Sequence, residues 1–406
     1  MDENLAKNNS EDIGFSEAEL EFIQKHKEED VTKLILKSGQ FKDVDVKKLA
    51  AQIRSRQKAS KKLPEWCAVE ELIFPPALSV EQCSSEATAK YKSTLIQGKS
   101  LVDITGGMGV DSYYLSKNFE QTDYFERQDE VAKTARYNFN ILEASNIKVH
   151  NQDSIGTLAA SKMQADWIYA DPARRDANRQ KVVLLSDCEP DIKFHLPSLY
   201  ENAPNVLLKT SPLLDIDLAV QELKSVKEIH IMGYEQECKE LLFILNKDSS
   251  SNDFLIKARV IDFKGNVTHA LDFSRDQERE AQIEFSEPLS YLYEPHPAIL
   301  KAGAFKYLGP AFQVKKLAVH SHLYTSTNLI SNFPGRIFEI IGVTKPDAKQ
   351  IGEYITDNKA NLTIRNFPAK IDDLRKKWRL KEGGNFYLFA TTLFNQKKAV
   401  VVTKKL

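Results

Sequence analysis

The sequence predicts an α/β fold: a mostly parallel sheet with helices on both faces, a helical segment before it and a small α/β domain after it. Three observations carry this. From Leu101 to Phe273, short apolar runs alternate with amphipathic helical patterns, as repeated βαβ units require. The first run, Leu101-Val102-Asp103-Ile104, passes through Thr105 into Gly106-Gly107-Met108-Gly109 and then a helical pattern, which reads as strand, tight turn and helix start. At 406 residues the chain exceeds what one small core organises, so two or three domains are expected.

Residues 1–95 read as a helical domain. Ser16-Glu17-Ala18-Glu19 is a capping box. A second helix runs through Val31 and Leu34 to a C-cap at Gly39, and a third carries Val46, Leu49, Ala50 and Ile53, ending before Leu63-Pro64. Ser79 to Ile96 reads as one more helix. Its small side chains around Glu86 suit close helix packing or the close approach of a ligand.

In the domain at 96–275, strands are expected at 101–104, 122–126, 147–150, 166–170, 205–209 and 228–232. Helices are expected at 111–118, 129–143, 191–202, 213–225 and 235–246. A hairpin at 254–273 turns on Lys264-Gly265-Asn266. Residues 276–330 form a connecting α/β segment: Tyr291–Pro297 as a connection, a helix near 298–306 and a strand near 312–319. Residues 331–406 alternate strand 337–343, helix 348–357, strand 361–365 and helix 371–380, then close with a hairpin at 385–393 and 398–403.

Hydrophobic residues make up 42% and charged residues 28%, which excludes wholesale disorder. The net charge of −1 hides an asymmetry: residues 331–406 hold 15 Lys/Arg against 7 Asp/Glu, a net of +8, which leaves −9 for residues 1–330. The four cysteines lie far apart, with no CxxC, as in a reduced protein without a disulfide framework or zinc site. Without a signal-like N-terminus or a long apolar run, a cytoplasmic location is expected.

The glycine turn lacks the lysine and hydroxyl of a P-loop, since Val110-Asp111 follow Gly109, and Ser112 stands where a dinucleotide fingerprint would end. A nucleoside ligand without a pyrophosphate is therefore favoured. Glu126, at the end of the second strand, is set to accept from both ribose hydroxyls. Asp153 follows the third strand, within reach of an adenine amino group. Asp171-Pro172-Ala173-Arg174-Arg175 ends the fourth, at the carboxyl edge where ligands bind.

In order and spacing, these residues resemble the class I S-adenosylmethionine-dependent methyltransferases, over roughly residues 80–273. More narrowly, the chain resembles a bacterial group with a THUMP-like C-terminal domain. Its marks are Ser84-Ser85-Glu86-Ala87-Thr88, the Asp171–Arg175 motif, and Leu362-Thr363-Ile364-Arg365-Asn366-Phe367-Pro368 with Lys381-Glu382-Gly383-Gly384. The resemblance implies a Rossmann-like seven-stranded sheet with an antiparallel closing hairpin, and S-adenosyl-L-methionine as cofactor. It implies that Thr105, Gly106, Gly107 and Gly109 line the methionine moiety, that Asp103 holds its amino group directly or through water, and that Ser85 and Thr88 reach its carboxylate. Glu126 would take the ribose and Asp153 the adenine.

Amino-directed methyltransferases of nucleic acids carry a D/N/S-P-P-aromatic motif where Asp171-Pro172 stands. Here Ala173 and Arg174 replace the second proline and the aromatic. Arg174 and Arg175 can stack on a base or bind phosphate, or can form a structural ion pair with Asp176. The expected catalytic set is Asp171, Pro172 and Arg174. Arg375, Lys376 and Arg379, on the outward face of helix 371–380 whose apolar stripe is Ile371, Leu374 and Trp378, are candidate RNA contacts along with Arg175. Cys188 has no context for a cytosine-methylating nucleophile, and His320-x-His322 lacks further metal ligands. The expected function is methylation of a base in structured RNA. The alternatives are methylation of a protein or small molecule, or non-catalytic RNA binding with a retained cofactor pocket.

Overall fold

In the computed structural model, residues 13–41, 43–161, 163–174, 184–250 and 253–406 are described, Arg174 in its backbone only. The chain divides into two compact units. One runs to Lys227 and takes in Leu242–Ser251 and Ile261–Asn266; the other comprises Glu228–Leu241, Asn252–Val260 and Val267–Leu406. Among the described residues no helix is long and apolar enough to cross a membrane.

The first unit opens with helices α1 (Glu17–His26), α2 (Val31–Leu36) and α3 (Val46–Ala59). The Ser16–Glu19 capping box forms in both directions. Asp30 and Asp45 cap the next two helices, each accepting from two backbone N–H groups. Phe22, Ile23, Leu34, Val46, Leu49 and Ile53 close a small core. Gly39 lies inside a 3-10 turn, Ser38–Gln40, and Lys37 is the C-cap of α2.

Pro64 begins α4 (Pro64–Ala68), and the expected helix from Ser79 to Ile96 is two: α5 (Ala77–Gln82) and α6 (Glu86–Ser93). The break arises because Ser85 is extended and its Oγ accepts from the Thr88 N–H, an N-cap that restarts the helix. Glu86 is buried, and its two oxygens accept from the N–H groups of Glu65 and Trp66, capping α4 from outside. Trp66, Leu72, Phe74 and Ala89 share a core with Met108, Val110 and Tyr114, so the N-terminal helices pack on the helix that follows the glycine turn.

The sheet is built from β1 (Gly98–Asp103), β2 (Phe119–Phe125), β3 (Ile147–His150), β4 (Trp167–Ala170) and β7 (Asn205–Thr210), all parallel in the order β7-β4-β1-β2-β3. Helices α7 (Val110–Ser116), α8 (Asp129–Ile141), α9 (Ser154–Ser161), α10 (Ile192–Leu199) and α11 (Ile216–Leu223) connect them. A two-stranded ribbon, β5 (Ala173–Arg174) with β6 (Cys188–Glu189), follows β4.

Beyond β7 the full order is β11-β10-β8-β9-β7, with β8 (Val226–Tyr234), β9 (Glu237–Asn246), β10 (Leu255–Ile261) and β11 (Val267–Phe273). Residues 235–246, expected as a helix, are thus mostly strand. Leu241–Leu245 are buried without a break, and such a run lacks the polar face that would distinguish a helix from an interior strand. A two-residue turn from β8 reverses β9, which then lies between β8 and β7. The reversed strand of the seven is therefore β9. The expected hairpin, β10–β11, forms but extends the sheet to nine strands.

The second unit contains α12 (Arg275–Glu280), β12 (Tyr291–Pro295), α13 (Pro297–Ala302), α14 (Leu308–Phe312), β13 (Lys315–Lys316), β14 (Tyr324–Ser326), β15 (Gly335–Thr344), α15 (Ala348–Gly352), β16 (Asn361–Arg365), α16 (Ile371–Trp378), β17 (Phe386–Thr392) and β18 (Lys398–Lys405). Its seven strands run β13-β14-β12-β15-β18-β17-β16. Tyr291–Pro295, expected as a connection, is a strand paired to β14 and β15. Its alternation is obscured because Leu292, Tyr293, Glu294 and Pro295 are all buried. Glu294 is only 4% exposed at its side chain and accepts from Arg336 on one oxygen and Arg365 on the other. The Arg365 of the terminal motif is thereby fixed in a charge pair.

Glu294→Gln leaves two guanidinium groups facing one neutral amide. Because Arg365 is 38% exposed and Arg336 26%, water offsets part of the loss. A destabilisation of about 1–3 kcal/mol is expected, read as a lower urea midpoint at unchanged slope.

Candidate functional site

The site lies in the first unit, where β1 ends at Asp103. Asp103 is 1% exposed. Its Oδ1 accepts from the Thr105 N–H at 2.8 Å and from Thr105 Oγ1 at 3.3 Å, and its Oδ2 accepts from Ser112 Oγ on α7. Burial pushes this carboxyl up to about 7. The charge of Asp111 adds to the rise, and the hydrogen bonds from Ser112 and Thr105 oppose it. Thr105 Oγ1 also accepts from the backbone N–H of Asp171 at 2.7 Å, which joins the ends of β1 and β4.

The glycines have different tasks. A Cβ on Gly106 would fall 2.4 Å from the Tyr124 ring, so this position must be bare for β1 and β2 to stay packed. Gly109 caps α7 at φ +83°, against Phe139. At Gly107 a Cβ would meet nothing nearer than a backbone oxygen at 3.7 Å, so the open side of the turn lies there.

Three acids follow three parallel strands. Glu126, after β2, accepts from the Gly107 N–H at 3.0 Å and, on its other oxygen, from the Gln128 N–H at 2.7 Å. Asp153, after β3, is exposed and caps α9 through the Gly156 N–H at 2.7 Å. Asp171, after β4, is 33% exposed at its side chain and pairs with Lys209 Nζ at 2.5 Å. Lys209 lies near the end of β7, one residue past the Ala170–Leu208 register pair, and its side chain is 13% exposed. Sequence reading took it only as a strand residue. A lysine ending an otherwise apolar strand beside the strand that carries the motif was the available signal.

Pro172 is buried and Ala173 exposed as the chain enters the ribbon, where Arg174 pairs with Cys188 in the backbone. The Arg174 side chain and Arg175 lie outside the described residues. Ser85 and Thr88 hydrogen-bond each other at the start of α6. Cys188 is buried. Among the described residues no three His, Cys, Asp or Glu side chains gather as a metal site.

A buried charge network braces the turn from behind. Asp111 accepts from Ser84 Oγ and Tyr169 OH, each at 2.6 Å, and faces Lys92 Nζ at 2.9 Å, with Lys92 wholly buried. Burial alone would raise the Asp111 carboxyl, but Lys92, with Lys209 behind it, holds it below the ordinary value. No local pattern announces this pair, 19 residues apart on two different helices.

In the second unit, Leu374 and Trp378 are buried on α16, but Ile371 is 40% exposed and so leaves the expected apolar stripe; Leu380 is buried beyond the helix. Lys376 and Arg379 are exposed, while Arg375 pairs with Glu382 at 3.0 Å. A shallow cleft of about 430 Å³ is lined by Gly384, Asn385, Tyr387, Lys404 and Lys405.

The residues around the turn fit an S-adenosyl-L-methionine ligand. The backbone is bare at Gly107, and Glu126 and Asp153 offer acceptors along one carboxyl edge, as a cofactor with a ribose, an amino group and no phosphate requires.

Residues 291–334 match a family described as a ferredoxin-like domain, and residues 335–405 match one described as THUMP domain-like. A crystal structure of a Porphyromonas gingivalis W83 protein, assigned as a methyltransferase, is 30% identical with a TM-score of 0.83, and the match covers 96% of this chain and 99% of that one. A tRNA m1G37 methyltransferase of M. jannaschii overlaps 40% of this chain and 49% of its own at 13% identity and a TM-score of 0.29. A modification subunit assigned to a type I restriction enzyme of Vibrio vulnificus YJ016 overlaps 50% and 56% at 9% identity and 0.34. Neither partial overlap bears on substrate. Comparison with curated proteins gave no match.

Gly106→Ala should cost about 1–3 kcal/mol, because the methyl group must displace Tyr124 or part β1 from β2; a thermal melt reads it. For Asp103 the ordinary carboxyl value is 3.8 and the folded value about 7. Between them the folded chain holds a proton that the unfolded chain has lost, so this group's contribution to stability falls as pH rises through that window and is constant above it. Asp103→Asn lacks this dependence. Relative to the parent it should gain roughly 2–4 kcal/mol between pH 4 and pH 8, measured by paired denaturant titrations.

Proposed function

Because the chain belongs to the class I methyltransferases that carry a THUMP-like C-terminal domain, we propose that it transfers a methyl group from S-adenosyl-L-methionine to a base in structured RNA, tRNA or rRNA. What carries this reading is Asp171, bound through its backbone N–H to Thr105 at the lip of the glycine turn, with β1 between its strand and the one that Glu126 follows.

When bound, the cofactor supplies an activated methyl group, so the protein's task is alignment and exclusion of water. The backbone at Gly107 admits the methionine portion. Glu126 accepts from the ribose hydroxyls through lone pairs beyond those given to Gly107 and Gln128, and Asp153 accepts from the adenine amino group. Asp103, buried with both oxygens engaged, acts by holding Thr105 and the glycines in place. Ser85 and Thr88 reach the cofactor carboxylate only by giving up their mutual bond. Asp171, with the carbonyl of Pro172, accepts an N–H of the target base. Arg174 and Arg175 supply the base-stacking or phosphate contact that the missing aromatic would make. Lys376 and Arg379, with Arg375 beside them, contact phosphates of the RNA. A cytoplasmic location fits the free cysteines.

Asp171→Ala should lower methyl transfer to total RNA by about 10²–10⁴-fold while cofactor affinity, read by calorimetry, stays within about threefold. Equal loss of both would make Asp171 structural, and label appearing in protein instead of RNA would replace the substrate. The joint change Lys376→Glu and Arg379→Glu should weaken RNA binding and flatten its salt dependence by about two phosphate contacts, with cofactor affinity unchanged. An unaltered salt slope would remove α16 from the interface.

A further inference from the structure

We propose that Arg127 and Glu189 form a clasp over the adenosine end of the cofactor site, which must open for S-adenosyl-L-methionine to enter or leave. This rests on the cofactor reading above and does not depend on the substrate.

Arg127 follows Glu126 just past the end of β2, and the backbone there is held from the β3 side. Asn151 Nδ2 donates to the carbonyl oxygens of Glu126, at 3.0 Å, and of Arg127, at 3.4 Å. Glu189 ends β6, where it pairs with Ala173, two residues past Asp171. In the order β4-β1-β2, Arg127 is carried by the strand on one side of β1. Glu189 is carried by the ribbon that follows the strand on the other side. Two strands with a third between them stand about 10 Å apart. Side chains close that distance: Arg127 Nη1 donates to Glu189 Oε1 at 2.7 Å. The pair therefore reaches from the β2 side of the carboxyl edge to the β4 side, past the end of β1.

The pair also stands at the right depth. Its side chains are 64% and 46% exposed, which puts it on the outer side of the edge, whereas Glu126 bonds inward to the Gly107 N–H. Glu189 raises the Arg127 guanidinium above its ordinary value, and the charges of Glu126 and Asp153 add to the rise. Those two are the acids read as taking the ribose and the adenine, so the guanidinium stands beside the adenosine end.

An exposed pair of this kind is weak and opens readily. That suits an element that must part in every cycle, because methyl transfer leaves a demethylated cofactor with the same adenosine portion, which has to be exchanged. Release of such a product often limits turnover. A contact that is closed before and after binding adds equally to the barriers for entry and exit, so it changes rates and leaves affinity alone.

Association and dissociation of S-adenosyl-L-methionine are measured on the immobilised full chain by surface plasmon resonance. Arg127→Gln and Glu189→Gln should each speed both rates by about two- to fivefold, the reach of one exposed ion pair, with Kd within about twofold. The double variant should be no faster than either single one. Added salt should speed exchange in the parent and leave the variants unchanged. Unaltered rates, or effects that add in the double variant, overturn the clasp and leave the cofactor reading intact. Faster dissociation with unchanged association also overturns it, and makes Arg127 an ordinary cofactor contact. No binding to the parent removes the cofactor reading and the clasp with it.

Discussion

Two hydrogen bonds of opposite sense meet at Thr105 Oγ1, which donates to Asp103 and accepts from the backbone of Asp171. On its other oxygen Asp103 accepts from Ser112, which ties the end of β1 to α7. Through the second, the end of β4 is held at the same height as that turn. A backbone without this threonine would have to satisfy a partly buried Asp171 N–H some other way. One hydroxyl thus ties the glycine turn to the acid that follows β4.

Behind the turn the protein accepts a costly arrangement. Asp103 and Asp111 are both buried, and only Asp111 has a cation beside it. Burying a charge is unfavourable unless it is paired and hydrogen-bonded. Asp111 meets that condition through Lys92, Ser84 and Tyr169, whereas Asp103 meets it by approaching neutrality. The partners come from α6, the residue before its cap and β4, so the N-terminal helices and the sheet share one charge-compensated interior. The helices before β1 therefore belong to the site's foundation.

The parallel core was legible because each of its strands is bounded by a helix pattern of another period, and the acids Glu126, Asp153 and Asp171 announce themselves by standing at or just past the ends of three successive strands. Fully buried strands were harder. Glu237–Asn246 lacks a polar face, and Tyr291–Pro295 hides its alternation behind the paired Glu294, so neither shows the period of two that marks a half-exposed strand. The break at Ser84-Ser85 turned on a single cap. Lys209 and Lys92 were missed for a different reason: their importance lies in partners 38 and 19 residues away, which only the register of the sheet and the crossing of two helices bring close. Local pattern reads elements well and pairings between elements poorly.

The seven-stranded sheet of the second unit has a seam at residues 334 and 335, where the ferredoxin-like and THUMP-like segments meet. The ladder ignores it: β12, before the seam, lies against β15, after it, and Glu294 holds one arginine from each of two later strands. Strands β13, β14 and β12 alone would be a three-stranded ribbon with a raw edge, and β15 would lose half its hydrogen-bonding partners. The two segments match different families and yet share one sheet, so neither completes its ladder without the other. Any recombination at that seam would yield halves that aggregate along the cut, and a chain keeping the terminal basic surface must keep the segment before it as well.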